Sequence, residues 1–457
     1  MNSLNAWQIT LLVLFPLFMM YSFLGSGDQF LLGAIICACL ITGCFCSFVL
    51  NKPEINVLFF LIALAFTDRQ APFLSYTFYL INFVIAITFI HYLSNNFTDR
   101  KYFWFFPFWV CSYHALILII HPYSVPVAWL IYYATDLAIF LLCVLIKWDA
   151  KKIMYIVIPH LIYLMCYGFL EKLVLNPIRV GGPTTHATNY AIILTFLWTI
   201  WFVWAYLRKI PISLLTFVTF LVIFLVFLSG TRMGLIGIMI GLFGAVGTKI
   251  WINNLHKSLA KKITYALSIF FTIIILIAVA WQLLPQNIFL IKAWNVLLTG
   301  NLDPSSIGRL LGWASAIESF TKHPILGIGP GNFDIAFTEF ISKHLPFYDT
   351  HSMPMLKHAH STGFNVLAEY GLSGVIMLLT VIVICWLQLI NFIWDNPQNP
   401  LGYSLFFGGI VIFCLPMIDM IPSQGLDCWF YGILASLGFH KNILSNPKNE
   451  LNIKSVS

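Results

Sequence analysis

The chain repeats one pattern along most of its length: runs of about 20 predominantly apolar residues separated by short polar connections. Each run is long enough to cross the ~30 Å hydrocarbon core of a bilayer as a helix. A helix satisfies its own backbone N–H and C=O groups, which is the condition for standing in lipid. Candidate spans are 7–24, 30–50, 73–94, 102–120, 126–146, 153–170, 189–207, 211–229, 233–251, 263–284, 372–390 and 402–420, with two shorter runs at 55–67 and 428–440. The expected fold is therefore an all-α polytopic membrane protein with about 12–14 transmembrane helices. Only 9% of the 457 residues are charged and 60% are hydrophobic, where a soluble domain carries about 25% charged residues. That balance excludes a soluble enzyme, a nucleic-acid binder and a secreted disulfide scaffold.

The charges that remain report orientation. If 7–24 leaves the cytoplasm and every run crosses, fifteen of the 24 Lys and Arg fall in loops and the tail on the starting side. Short loops on the other side hold Arg69, Lys172, Arg179 and Arg232. Basic residues accumulate on the cytoplasmic side, so both termini are expected there. The first run lacks a basic flank and a small-residue cleavage site, and reads as a retained span. The cysteines lie almost entirely in apolar runs; the group Cys37, Cys39, Cys44 and Cys46 reads as small residues packing within a helix rather than as a metal or redox centre.

One connection is far longer than the rest. Residues 285–362 leave the membrane on the non-cytoplasmic side, and a loop of that length is functional or disordered. Its pattern argues for function. Asp303-Pro304-Ser305-Ser306 is a helix-start signature. Leu310, Trp313, Ile317 and Phe320 then recur at helical spacing and make an apolar stripe. Pro324 ends the helix, and Gly327, Gly329 and Gly331 in HPILGIGPGNF predict tight turns held against other backbone. The expected organisation is N-terminal membrane helices over 1–284, a periplasmic loop over 285–362, C-terminal membrane helices over 363–440 and a cytoplasmic tail over 441–457.

Chemistry-bearing residues gather on that outer side. Arg232, in LSGTRMGLIG, stands at the mouth of two adjacent spans among small neighbours; it is either an interfacial arginine reaching for water or a ligand contact. Arg309 opens the helix of the long loop, and Arg179 precedes Gly181-Gly182-Pro183 as a candidate supporting contact. The loop closes on Lys357-His358-Ala359-His360-Ser361. An H-x-H pair can bind metal, yet no third and fourth ligands stand at diagnostic spacing, so no metal site is expected. A histidine at the water–membrane boundary suits a general base. Arginines with a histidine, and no nucleophile or carboxylate pair, suit a diphosphate leaving group whose oxygens accept from fork-shaped guanidiniums.

Three blocks resemble bacterial O-antigen ligases and the related polysaccharide polymerases and pilin-type O-oligosaccharyltransferases. They are LSGTRMGLIGIMIGL, GRLLGWASAIESFTKHPILGIGPGNF and HAHSTGFNVLAEYGLSGVIMLL, which together cover roughly residues 226–385 in the family's order and spacing. The resemblance implies a helical, metal-independent glycosyltransferase fold of the C type, without cofactor. It places diphosphate contacts on Arg232 and Arg309 and the catalytic histidine on His360; His358 and Arg179 stand beside them as possible supporting residues read from the sequence alone. Ser361 departs from the family, where many members have Asn. Glu369, in the AEYG run, matches a recurrent acidic position whose expected role is structural.

The function implied is transfer of a glycan from an undecaprenyl diphosphate carrier to a hydroxyl acceptor at the periplasmic face of the inner membrane. Ligation of O-antigen onto lipid A–core, in lipopolysaccharide biosynthesis, comes first; a growing glycan or a pilin-like protein are the other acceptors. A polysaccharide transporter is the reading from a different class. It would use midspan acids such as Asp136 and Asp419 in repeated halves, and no internal repeat is visible. No nucleic-acid partner is expected; membrane lipid is.

Overall fold

A computed structural model describes residues 54, 57, 58, 137–181, 187–253, 304–344, 356, 358–418 and 426–439, with 175, 232, 304–306, 416–418, 426, 427, 438 and 439 described as backbone. The runs at 7–24, 30–50, 73–94, 102–120 and 263–284, nearly all of 55–67, the start of 126–146, the cysteines at 37–46, Asp136 and Asp419 lie outside these residues. The described elements are helices: α1 (Ala150–Leu175), α2 (Ala187–Leu207), α3 (Ile212–Ser229), α4 (Arg232–Asn253), α5 (Pro304–Lys322), α6 (Phe333–His344), α7 (Thr362–Asp395), α8 (Pro400–Ile418) and α9 (Leu426–Phe439). Five of them, α1 to α4 and α7, are long and apolar enough to cross a membrane. The chain is a multi-pass helical membrane protein, and each of these five coincides with a run read from the sequence.

α2 is apolar on every face and is buried almost without interruption from Asn189 to Ala205, as befits a helix at the centre of a bundle. α4 lies along it through its glycines: a Cβ on Gly237 would stand 2.5 Å from Thr195, and one on Gly241 2.5 Å from Trp198. The pairs Gly237–Thr195 and Gly241–Trp198 advance together, so α2 and α4 run parallel. Tyr403 bonds Trp251 while Phe407 faces Gly244, so α8 runs antiparallel to α4. Phe392 lies by Gly402 while Trp386 meets Phe406 with ring centroids 5.3 Å apart, so α7 is antiparallel to α8. The start of α4, at Arg232, and the start of α7 therefore share one end of the bundle.

α7 has 34 residues, roughly 51 Å of helix and far more than a bilayer core requires. Gly371, at φ 61° and ψ −154°, divides it. Residues 372–395, roughly 36 Å, form the span, and Leu372, Ile376, Leu379, Val383 and Leu387 expose one apolar stripe along it. Residues 362–370 belong to a cap with its own small core of Ala316, Phe333, Phe337, Ile341, Leu356, Ala359 and Ala368.

α5 begins at Pro304, as the helix-start signature predicts. Only part of the predicted stripe packs: Trp313 stacks on Phe364 and Phe320 is half-buried. Leu310 and Ile317 are 46% and 48% exposed, while Gly312, Ser315, Ala316 and Ser319 are buried. Small residues let α5 approach α6 and α7 closely, and that contact outweighs the burial of two larger side chains. At the α5–α6 joint, Glu318 meets Lys322 at 3.0 Å, Lys343 at 3.2 Å and His344 at 2.8 Å.

The hydrogen bond from Lys322, with those from Lys343 and His344, lowers the Glu318 carboxyl to about 2. A depressed carboxyl stabilises the fold above its ordinary value and stops doing so only as pH falls through the lowered one. Taking pH from 7 to 4 should therefore leave the joint closed. Amide exchange along α6, corrected for its intrinsic pH dependence, checks this; deprotection of α6 already at pH 4 would contradict it.

Candidate functional site

The cap is spliced into the broken helix, and the splice shapes the site. Gly371 takes the N–H groups of Leu372 and Ser373 away from their helical acceptors, Ala368 O and Glu369 O. The loop 324–329 replaces all four partners. Leu372 and Ser373 donate to Pro324 O (2.8 Å) and Ile325 O (3.1 Å), while Ile328 and Gly329 donate to Ala368 O and Glu369 O (both 2.9 Å). Gly327, at φ 72°, lies so close that a Cβ there would stand 2.3 Å from the Glu369 backbone carbon. The glycine-rich turn expected from HPILGIGPG is thus a backbone plug for the AEYG kink.

Glu369 itself is 1% exposed. Its carboxyl group is bonded by the backbone N–H groups of Gly331 and Phe333 and by the side-chain amide of Asn365. Burial outweighs these donors and pushes the carboxyl up to about 8, so the neutral acid is favoured near pH 7. The Asn365 Oδ1 in turn accepts the N–H of Ala359 at 3.2 Å. One buried chain of bonds therefore runs from the triple-glycine turn, through Glu369 and Asn365, to the middle of the His-Ala-His tripeptide.

His358 and His360 are half-buried on either side of buried Ala359. His360 has φ 51°, an uncommon conformation outside glycine that histidine adopts more readily than most. It turns the chain into α7. Ser361 is the N-cap, its hydroxyl accepting from Phe364 N at 3.5 Å. This is the use of the residue that departs from the family pattern: serine is among the best N-caps. The two imidazoles meet edge to face with centroids 4.7 Å apart, so the structure brings both histidines into one place.

α5 packs on the same turn through the residues that follow Arg309. Gly312 packs on Leu356 and on the Ala359 carbonyl, and Trp313 stacks on Phe364 with ring centroids 5.2 Å apart. Arg309 precedes these two contacts by three and four residues, which puts it on the same helix face one turn away. It is half-buried, with Nε enclosed.

Arg232 is the first residue of α4 and stands at the bundle end that carries the cap. Arg179 reaches the turn before it. Its Nε donates to Ser229 O at 2.8 Å, and its Nη2 to Thr231 Oγ1 at 3.2 Å and Gly230 O at 3.4 Å. Among the described residues, no three His, Cys, Asp or Glu side chains are grouped so that they could hold a metal ion. The sequence reading missed Asn365, whose amide is the hinge of the buried network, and the break at Gly371. A glycine inside an apolar helical run was the available signal for the second; a lone Asn five residues past His360 offered none for the first.

Residues 217–379 match the family model described as O-antigen ligase. The chain carries an O-antigen ligase family domain. No curated protein matches the chain. The ligase-family domain runs from within α3 to within α7 and contains Arg232, Arg309, the histidine pair, the glycine plug and the Gly371 kink. The match covers nearly the stretch over which the three sequence blocks resemble that family. Arg179 lies outside it.

Proposed function

We propose that the protein transfers a glycan from undecaprenyl diphosphate to a hydroxyl acceptor at the periplasmic face of the inner membrane, and that the acceptor is lipid A–core. The observation that supports this most is that the helix turn following Arg309, through Gly312 and Trp313, packs on Ala359 and Phe364 beside the His358–His360 turn, inside an O-antigen ligase family domain. The acceptor hydroxyl attacks the anomeric carbon, and the bond from that carbon to the diphosphate oxygen breaks. The hydroxyl proton passes to His360, and undecaprenyl diphosphate leaves with its charge met by Arg309 and Arg232. Such charge stabilisation is worth most in a partly enclosed site. The arginines hold the place that a metal ion holds in other transferases, so activity should persist in EDTA.

A lysine at 309 keeps the charge and loses the fork. Arg309→Lys should therefore lower transfer at least tenfold, about 1.4 kcal/mol of barrier, while the protein still accumulates in the membrane. Wild-type turnover by Arg309→Lys would place the arginine outside the reaction. The acceptor is tested by deleting the gene and separating surface glycans on a gel. Loss of long chains with lipid-linked polymer retained indicates ligation; core bearing one repeat unit indicates polymerisation instead.

A further inference from the structure

We infer that Arg179, outside the ligase-family segment, is a positioning residue that sets the turn presenting Arg232 to the diphosphate; this rests on the function proposed above. Three observations carry it. The guanidinium spans the whole Ser229-Gly230-Thr231 turn, taking a carbonyl at 2.8 Å, a second at 3.4 Å and the Thr231 hydroxyl at 3.2 Å. The next residue of its own loop adds a second attachment point: Val180 N donates to Leu228 O at 3.1 Å. The turn is also enclosed, with Ser229 and Thr231 at 0% and 6% exposure and a Cβ on Gly230 only 3.3 Å from Arg179 Nε.

The chemistry of the clasp suits holding rather than catalysis. The last carbonyls of α3 carry the negative end of its dipole and have no helical donors. Gly230 closes the helix at φ 63°, with its N–H on Phe227 O. Arg179 satisfies what that cap leaves over and then reaches Thr231, the residue directly before Arg232. α4 is fixed along its length by its glycine contacts with α2, so the turn is where its first residue takes its direction. A fork holds two points of the turn at once; a lysine can hold one.

The test uses the purified full chain in detergent and its affinity for undecaprenyl diphosphate, a readout that does not need an acceptor. Arg179→Lys should bind roughly tenfold more weakly, the loss expected when a two-point contact becomes one, with an unchanged unfolding temperature. Thr231→Val, which removes one acceptor and leaves Arg179 in place, should move affinity in the same direction by less. In an Arg232→Lys background, Arg179→Lys should cost no more than about twofold further, because residues acting as a unit are not additive. In the transfer assay the donor KM should rise while the acceptor KM stays. Unchanged affinity in Arg179→Lys, or a full tenfold loss repeated in the Arg232→Lys background, would overturn the positioning role. The second outcome would indicate that Arg179 touches the diphosphate itself. Failure of the unsubstituted protein to bind the carrier would instead remove the functional reading, and this inference with it.

Discussion

Replacing His360 by alanine should lower glycan transfer at least ~10²-fold, the scale of a lost general base, with His358→Ala costing much less. The two side chains touch, so composition and exposure do not separate them; their backbones do. His360 is held at φ 51° directly before the Ser361 cap, and its neighbour Ala359 is tied to Asn365. A base must stand within ~2.6–3.2 Å of the proton it takes, and a residue fixed at a turn with bonds on its flanks holds such a place. His358 packs edge to face against the His360 ring, so its loss should loosen that ring without removing the base. Turnover assays of purified variants at matched protein levels decide the matter. Equal losses at both positions, together with inhibition by a chelator, would indicate a metal held by the pair.

The second large effect is on folding. A Cβ at Gly327 would sit 2.3 Å from the carbon and 2.5 Å from the oxygen of the Glu369 backbone, at a positive φ, and one at Gly371 would sit 2.7 Å from Gly327 N and from the Ile325 carbonyl. Neither obstacle is a flexible side chain, so either alanine has to open the plug. Opening it strands two carbonyls and two N–H groups of a broken helix beside the membrane, each costing about 1–3 kcal/mol if buried unmet. Gly327→Ala and Gly371→Ala should each destabilise by roughly 4 kcal/mol or more, seen as low membrane accumulation and a depressed unfolding temperature. Gly308→Ala is the control. Nothing lies within 4 Å of a Cβ at this half-buried position, and alanine in a helix with room for its methyl should raise stability by up to ~1 kcal/mol.

The sequence made the bundle legible because a membrane span needs length and apolarity, and both are visible in a row of letters. It made the start of α5 legible through Pro304, for the same local reason. The packing face of α5 was not legible. Hydrophobic periodicity points to Leu310 and Ile317, whereas the close neighbours are chosen by Gly312, Ser315 and Ala316, whose value lies in how near they let other backbone come. Arg309 and His360 could be singled out as candidates from the pattern around them. Asn365 and Arg179 could not be given their roles, and Glu369 only a structural one without its partners, because each acts largely through backbone groups: Ala359 N–H for Asn365, Gly331 and Phe333 N–H for Glu369, and the Ser229 and Gly230 carbonyls for Arg179. Backbone partners leave no mark of residue type.

The most direct test is reconstitution of the purified chain with glycan-loaded undecaprenyl diphosphate and lipid A–core, with no other protein present. Glycan should appear on the core in step with release of undecaprenyl diphosphate, and the same mixture with His360→Ala should release neither at a comparable rate. Transport of the intact lipid-linked glycan across the bilayer without cleavage, or equal transfer by wild type and His360→Ala, would contradict the account.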